Sequence, residues 1–186
     1  MIILGIDPGV ATVGWGIVEY KGNKFLGSDY GAIITPAHTP LCDRIEQIFD
    51  EASRLVDYYH VETATMEKLF FNTNSKTAID VAQARGVLLL ALTKKRIHCS
   101  EFTPLQVKQA VTGYGRADKQ QMQHVVASIL RLKNLPKPDD AADALAVALC
   151  HAHTARFGGM FAVENMTRRK GKNTAAAISS FNKENL

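Results

Sequence analysis

The chain has 186 residues, a hydrophobic fraction of 46% and a formal net charge of +4, enough for one well-buried domain with a tail. Asp7 interrupts the short apolar start, and apolar runs such as 87–92 are far below the ~20 residues of a membrane span, so neither a signal peptide nor a membrane helix is expected. The three widely spaced cysteines, Cys42, Cys99 and Cys150, make neither a disulfide framework nor a zinc pattern, and a reduced, cytoplasmic protein is expected.

In chain order, residues 2–6 form an apolar run ending at Asp7-Pro8-Gly9, which reads as a buried strand closed by a turn. Residues 12–20 and 24–34 flank Gly22-Asn23 and predict a hairpin, giving an opening antiparallel meander. Leu41, Ile45, Ile48, Phe49, Ala52, Leu55 and Val56 give 39–60 helical spacing. Residues 61–66 predict a second buried strand ending at Glu67, followed by a loop over 68–75 that holds Leu69, Phe70 and Phe71 together. The helix predicted over 76–96 is apolar all round in its second half, so it is either internal or packed on a partner chain. Residues 97–102 predict a further strand. Helices follow over 104–111, with Pro104 suited to a first turn, then 118–132 and 139–154. After Arg156 the apolar periodicity fades, which divides the chain into a domain over 1–155 and a basic, disordered tail over 156–186. Strands separated by helices imply parallel pairing with helices on both faces: an α/β, three-layer, five-stranded mixed sheet.

Charge follows the same division. The tail carries six Lys/Arg and two Glu, leaving 16 basic and 16 acidic residues in the body. Within that body, 94–133 holds eight Lys/Arg against Glu101 and Asp118. Such a band suits either a bound polyanion or an ordinary solvated basic surface.

Ligands in open α/β sheets gather at the carboxyl ends of parallel strands. Asp7 and Glu67 end two such strands, and Asp140 and Asp143, three apart at a helix start, share one face. Four acids brought together raise one another's pKa values, and divalent cations relieve that repulsion. Mg2+ is the expected ion, two per site, with Mn2+ as a substitute; paired ions suit phosphodiester hydrolysis. Taken singly, each acid also has a plainer reading. Asp-Pro-Gly is ordinary turn chemistry, Asp139 and Asp140 can cap a helix, and Glu67 can be an exposed strand end. The four converge only under the expected fold.

The ordered set of Ile3-Leu-Gly-Ile-Asp7-Pro-Gly9, Gly14-Trp-Gly16, Glu67 with Phe70, Ala82-Gln-Ala-Arg-Gly86, Gln106-Val-Lys-Gln109 and Asp140-Ala-Ala-Asp-Ala-Leu145 resembles RuvC-type Holliday junction endonucleases over residues 1 to about 153. The resemblance implies an RNase H-like fold, a homodimer, and metal-dependent paired nicking of four-way DNA junctions in recombination and repair, alongside branch-migration machinery. It implies catalytic, metal-holding acids at Asp7, Glu67, Asp140 and Asp143; the Ala-Ala-Asp spacing selects Asp140 over Asp139. It also implies a base-stacking aromatic at Phe70 and DNA-contacting lysines at Lys108 and Lys119. From the residues themselves, Phe70 is an aromatic suited either to stacking on an unpaired base or to packing with its neighbours. Arg116, in the glycine loop 113–116, is added as a phosphate contact on position alone. Because a four-way junction has two-fold symmetry, two matching cuts need two facing sites, and 76–96 is the expected interface. The alternatives are another RNase H-like nuclease acting on RNA, an actin-like ATPase or sugar kinase, which needs roughly twice this length, and a DNA-binding module without catalysis.

Overall fold

The computed structural model describes residues 1–68 and 75–156. Phe70 and the tail beyond 156 therefore lie outside the described residues. Strand β1 (Ile2–Asp7) is apolar on both sides because both of its faces are covered: Leu4 and Ile6 enter one core and Ile3 the other. It pairs antiparallel with β2 (Thr12–Lys21), from Ile2↔Glu19 to Asp7↔Gly14. On its other edge it pairs parallel with β4 (Thr63–Glu67), from Ile3↔Thr63 to Ile6↔Met66. β3 (Lys24–Ile34) closes a hairpin with β2, and β5 (His98–Phe102) runs parallel to β4. The sheet order is β3-β2-β1-β4-β5. Gly22 and Asn23 both take positive φ, 57° and 62°, as a two-residue turn matched to strand twist requires.

Helices α1 (Leu41–Tyr59) and α2 (Ser75–Lys94) cover one face around Leu4, Ile6, Ile48, Met66, Leu88 and Leu92. Helices α3 (Pro104–Thr112), α4 (Lys119–Leu130) and α5 (Asp139–Arg156) cover the other, around Ile3, Val107, Val126, Leu145 and Leu149. The expected element order and three layers are present. Three boundaries shift for one reason. α1, α2 and α4 stop before His60, Arg96 and Arg131, which turn left-handed at φ 51°, 60° and 53°. The following residue then bonds back to a last-turn carbonyl: Val61 to Val56, Ile97 to Leu92 and Leu132 to Ala127. This closure satisfies the carbonyls of the final turn.

α5 lies directly on β1 and β2. A Cβ at Gly5 would overlap the Ala144 carbonyl, and one at Gly14 would overlap the Asp140 carbonyl. The absence of side chains at these two positions lets the helix backbone approach the sheet. Among the described residues, no helix is long and apolar enough to cross a membrane.

Candidate active site

Asp7 and Glu67 are the last residues of neighbouring parallel strands, so both reach one sheet edge. Side chains alternate along a strand, and Ala64 and Met66 pack on the α1/α2 side, which turns Glu67 toward α5. The chain leaving Asp7 is anchored behind its turn. Thr35 Oγ1 donates to the Val10 carbonyl at 2.6 Å and accepts from Arg44 Nε at 2.7 Å. Asp140 and Asp143 arrive from the first turns of α5, seated above Gly14.

The electrostatics show that the four acids share one neighbourhood. The Asp7 carboxyl is pushed up to about 7, first by burial, then by Asp143, Asp140 and Glu67, with Lys119 opposing. Glu67 is raised by burial and then Asp143, against Lys108. Asp143 is raised by burial, while Lys119 draws it down and Asp140 and Asp139 push it up. Asp139 behaves differently. It is exposed, accepts from Gln123 Nε2 at 3.0 Å and lies 3.3 Å from Lys119 Nζ; these partners hold its carboxyl low. Asp140, not Asp139, is among the charges that raise Asp7.

Lys119 opens α4, whose start is fixed by a reciprocal cap between Asp118 and Gln121. Its Nζ stands 3.4 Å from Asp143 Oδ2. Burial works against the ammonium, but Asp143 and Asp139 outweigh it and keep it charged. Lys108 comes from α3, which is capped by the same device at Thr103 and Gln106. Glu67, Lys108, Lys119, Met122 and Asp143 line one cleft of about 220 Å³. Arg116 is exposed between α3 and α4 and is not part of that lining.

Among the described residues, no three acids, cysteines or histidines are gathered tightly enough to enclose an ion unaided. The donor set nonetheless fits a hard cation. All four groups offer carboxylate oxygen, and Mg2+ keeps several waters while taking one or two carboxylates and substrate phosphate. The cost of crowding them, visible in Asp7, is what a divalent ion would relieve.

One contact was not legible in the sequence. The Glu67 carbonyl accepts from Arg85 Nη1 at 2.9 Å, and Arg85 Nη2 pairs with Glu101 Oε1. Counting Glu101 as part of a surface band misplaces it; it is largely buried opposite α2. The available signal was the strand alternation, which puts Glu101 level with Met66 on the α2 side.

Comparison with known proteins gives a consistent result. Residues 3–151 match the family described as "Crossover junction endodeoxyribonuclease RuvC". The chain is 58% identical over 154 residues to the protein of that name from Clostridioides difficile, covering 83% of this chain and 91% of that one. It is 53% identical over 164 residues to the protein of that name from Alkaliphilus oremlandii, covering 88% of this chain and all of that one. Among solved structures it resembles Thermus thermophilus RuvC in complex with Holliday junction substrate, with a TM-score of 0.79 and 34% identity, covering 86% of this chain and 97% of that one.

Proposed function

Because this chain belongs to the RuvC family of crossover junction endodeoxyribonucleases, we propose that it resolves four-way DNA junctions by paired hydrolysis of phosphodiesters at the edge where Asp7, Glu67, Asp140 and Asp143 meet. The observation that carries this reading is the convergence of the acids on Asp7, whose carboxyl is held up first by burial and then by Asp143, Asp140 and Glu67. Asp7 and Glu67 hold fixed positions because each ends a paired strand, and Asp140 and Asp143 approach them from a helix packed against bare backbone. These four would hold Mg2+, two ions per site, with Mn2+ as a substitute, and an ion bound there would supply Lewis-acid chemistry and activate a water. Lys119 and Lys108 present ammonium groups at the cleft wall, where they attract a phosphate and stabilise charge as it develops. Phe70 stacks on a base beside the cut, and Arg116 holds a phosphate outside the cleft.

The enzyme acts as a homodimer through α2. The domain spans 1–155 with a basic tail over 156–186, and the buried thiols Cys99 and Cys150, each free, suit a reducing cytoplasm. The test is cleavage of a synthetic four-way DNA, a duplex and an RNA with varied Mg2+, using wild type and Asp7→Asn, Glu67→Gln, Asp140→Asn and Asp143→Asn. Cutting is expected on the junction alone, falling about 100-fold or more in each variant, with junction binding retained. Equal cutting of all three substrates would defeat junction selectivity; persistent cutting by Asp7→Asn would defeat the site.

A further inference from the structure

Glu67 reaches the cleft from one side of the sheet, but its backbone is held from the other. The pairing of β1 with β4 ends at Ile6↔Met66, one residue before Glu67. The Lys68 N–H is bound to the Phe102 carbonyl at 2.7 Å, which fixes the β5 side of that peptide. The Glu67 carbonyl, beyond the last β1 pair, takes its donor from Arg85. Arg85 is itself buried, on the α2 turn that carries Ala84 and Leu88 into the core. A buried guanidinium needs its N–H groups satisfied and its charge matched. Glu101 supplies the charge from β5, while the other arm of the fork remains for the carbonyl. A well-packed apolar pair of similar volume stabilises a fold about as well as a buried ion pair. An apolar pair cannot hold a carbonyl in a fixed direction.

We infer that Arg85, braced by Glu101, is a positioning residue for the nuclease reaction: through the Glu67 carbonyl it fixes where the Glu67 carboxylate meets metal. This rests on the reading of Glu67 as a metal-holding acid. Arg85 touches neither substrate nor reacting atoms. Its effect is on metal affinity and on the rate at limiting metal, with no effect on DNA binding. A lysine at 85 keeps a charge opposite Glu101 but lacks the fork that spans both partners.

The full chain is tested as wild type, R85K, R85M and E67Q. Mn2+ binding is followed by electron paramagnetic resonance, and single-turnover junction cleavage is measured as Mg2+ varies. Junction binding without divalent ion and thermal melting complete the set. R85K is expected to melt cooperatively and bind junction as wild type does. Its metal affinity should fall about 10-fold, with cleavage recovering as Mg2+ is raised, and R85M should shift further in the same direction. If R85M does not fold, R85K carries the comparison. Wild-type metal affinity in R85K overturns the inference, as does a lowered melting temperature with no change in metal requirement. Metal binding and cleavage by E67Q at wild-type levels would instead overturn the reading of Glu67 itself.

Discussion

Asp7 carries a charge that the folded chain resists. Its carboxyl stands at about 7 against an ordinary 3.8, so between those values the native state binds a proton that the unfolded chain has released. Stability of the metal-free protein therefore falls as pH rises from about 4 through 7, and the full penalty is present above 7. The shift corresponds to about 4 kcal/mol at most. Asp7→Asn is expected to melt higher than wild type at pH 8 without divalent ion and equally at pH 4; matching pH profiles for the two proteins would refute this. At the proposed metal site, metal and proton compete for the same oxygens, so the Mg2+ needed for half-maximal cleavage should rise as pH drops below 7. Asp7 and Glu67 were legible in the sequence because each stands where an apolar strand gives way to a turn or loop. The Arg85–Glu101 brace was not, because a linear charge count cannot tell a solvated acid from one facing a buried guanidinium between the sheet and the helix that covers it. The depth of the Asp7 shift was hidden too, since it depends on how closely α5 lies.

That closeness is a property of elements. Gly14 faces the Asp140 backbone with no room for a Cβ, and Gly14→Ala must push the start of α5 away. A loss of about 1–3 kcal/mol is expected on overpacking grounds, with cleavage falling about 10-fold or more because a displacement near 1 Å is costly to catalysis. Chemical denaturation and single-turnover rates measure both, and native stability and rate in the Gly14→Ala variant would show that α5 has slack. In the sequence, Gly14-Trp-Gly16 stood out as part of a resemblance and of a predicted hairpin strand, without any sign that a helix would lie on it. The helix ends were similarly obscured. Left-handed closure is commonest with glycine, and α1, α2 and α4 close on His60, Arg96 and Arg131. His60→Gly should raise stability by about 0.5–1 kcal/mol, the left-handed strain relieved less the entropy of glycine; urea unfolding decides it, with no gain counting against strain at that position.

For the whole molecule, the helix that was expected to be buried on more than one side does have an outward stripe. Ile79, Gln83, Gly86 and Leu90 follow helical spacing and are exposed, Ile79 at 60% and Leu90 at 52%. Ala84, Leu88, Ala91 and Leu92 fill the core from the same helix. The proposed dimer buries that stripe, with Gly86 leaving room for close approach. Leu90→Glu is expected to weaken self-association about 10-fold or more, measured by sedimentation, and to uncouple the two nicks on a junction; an unaltered dimer would move the interface elsewhere. The four acids also have a temporal consequence. Asp7 and Glu67 are synthesised early, but Asp140 and Asp143 belong to the last described helix, which docks across strands made more than a hundred residues before. Contacts so distant in sequence form late in folding. With catalysis resting on all four acids, as proposed, a nascent chain on the ribosome holds half of that site for most of its synthesis, and cutting waits until the domain that must recognise the right substrate is complete.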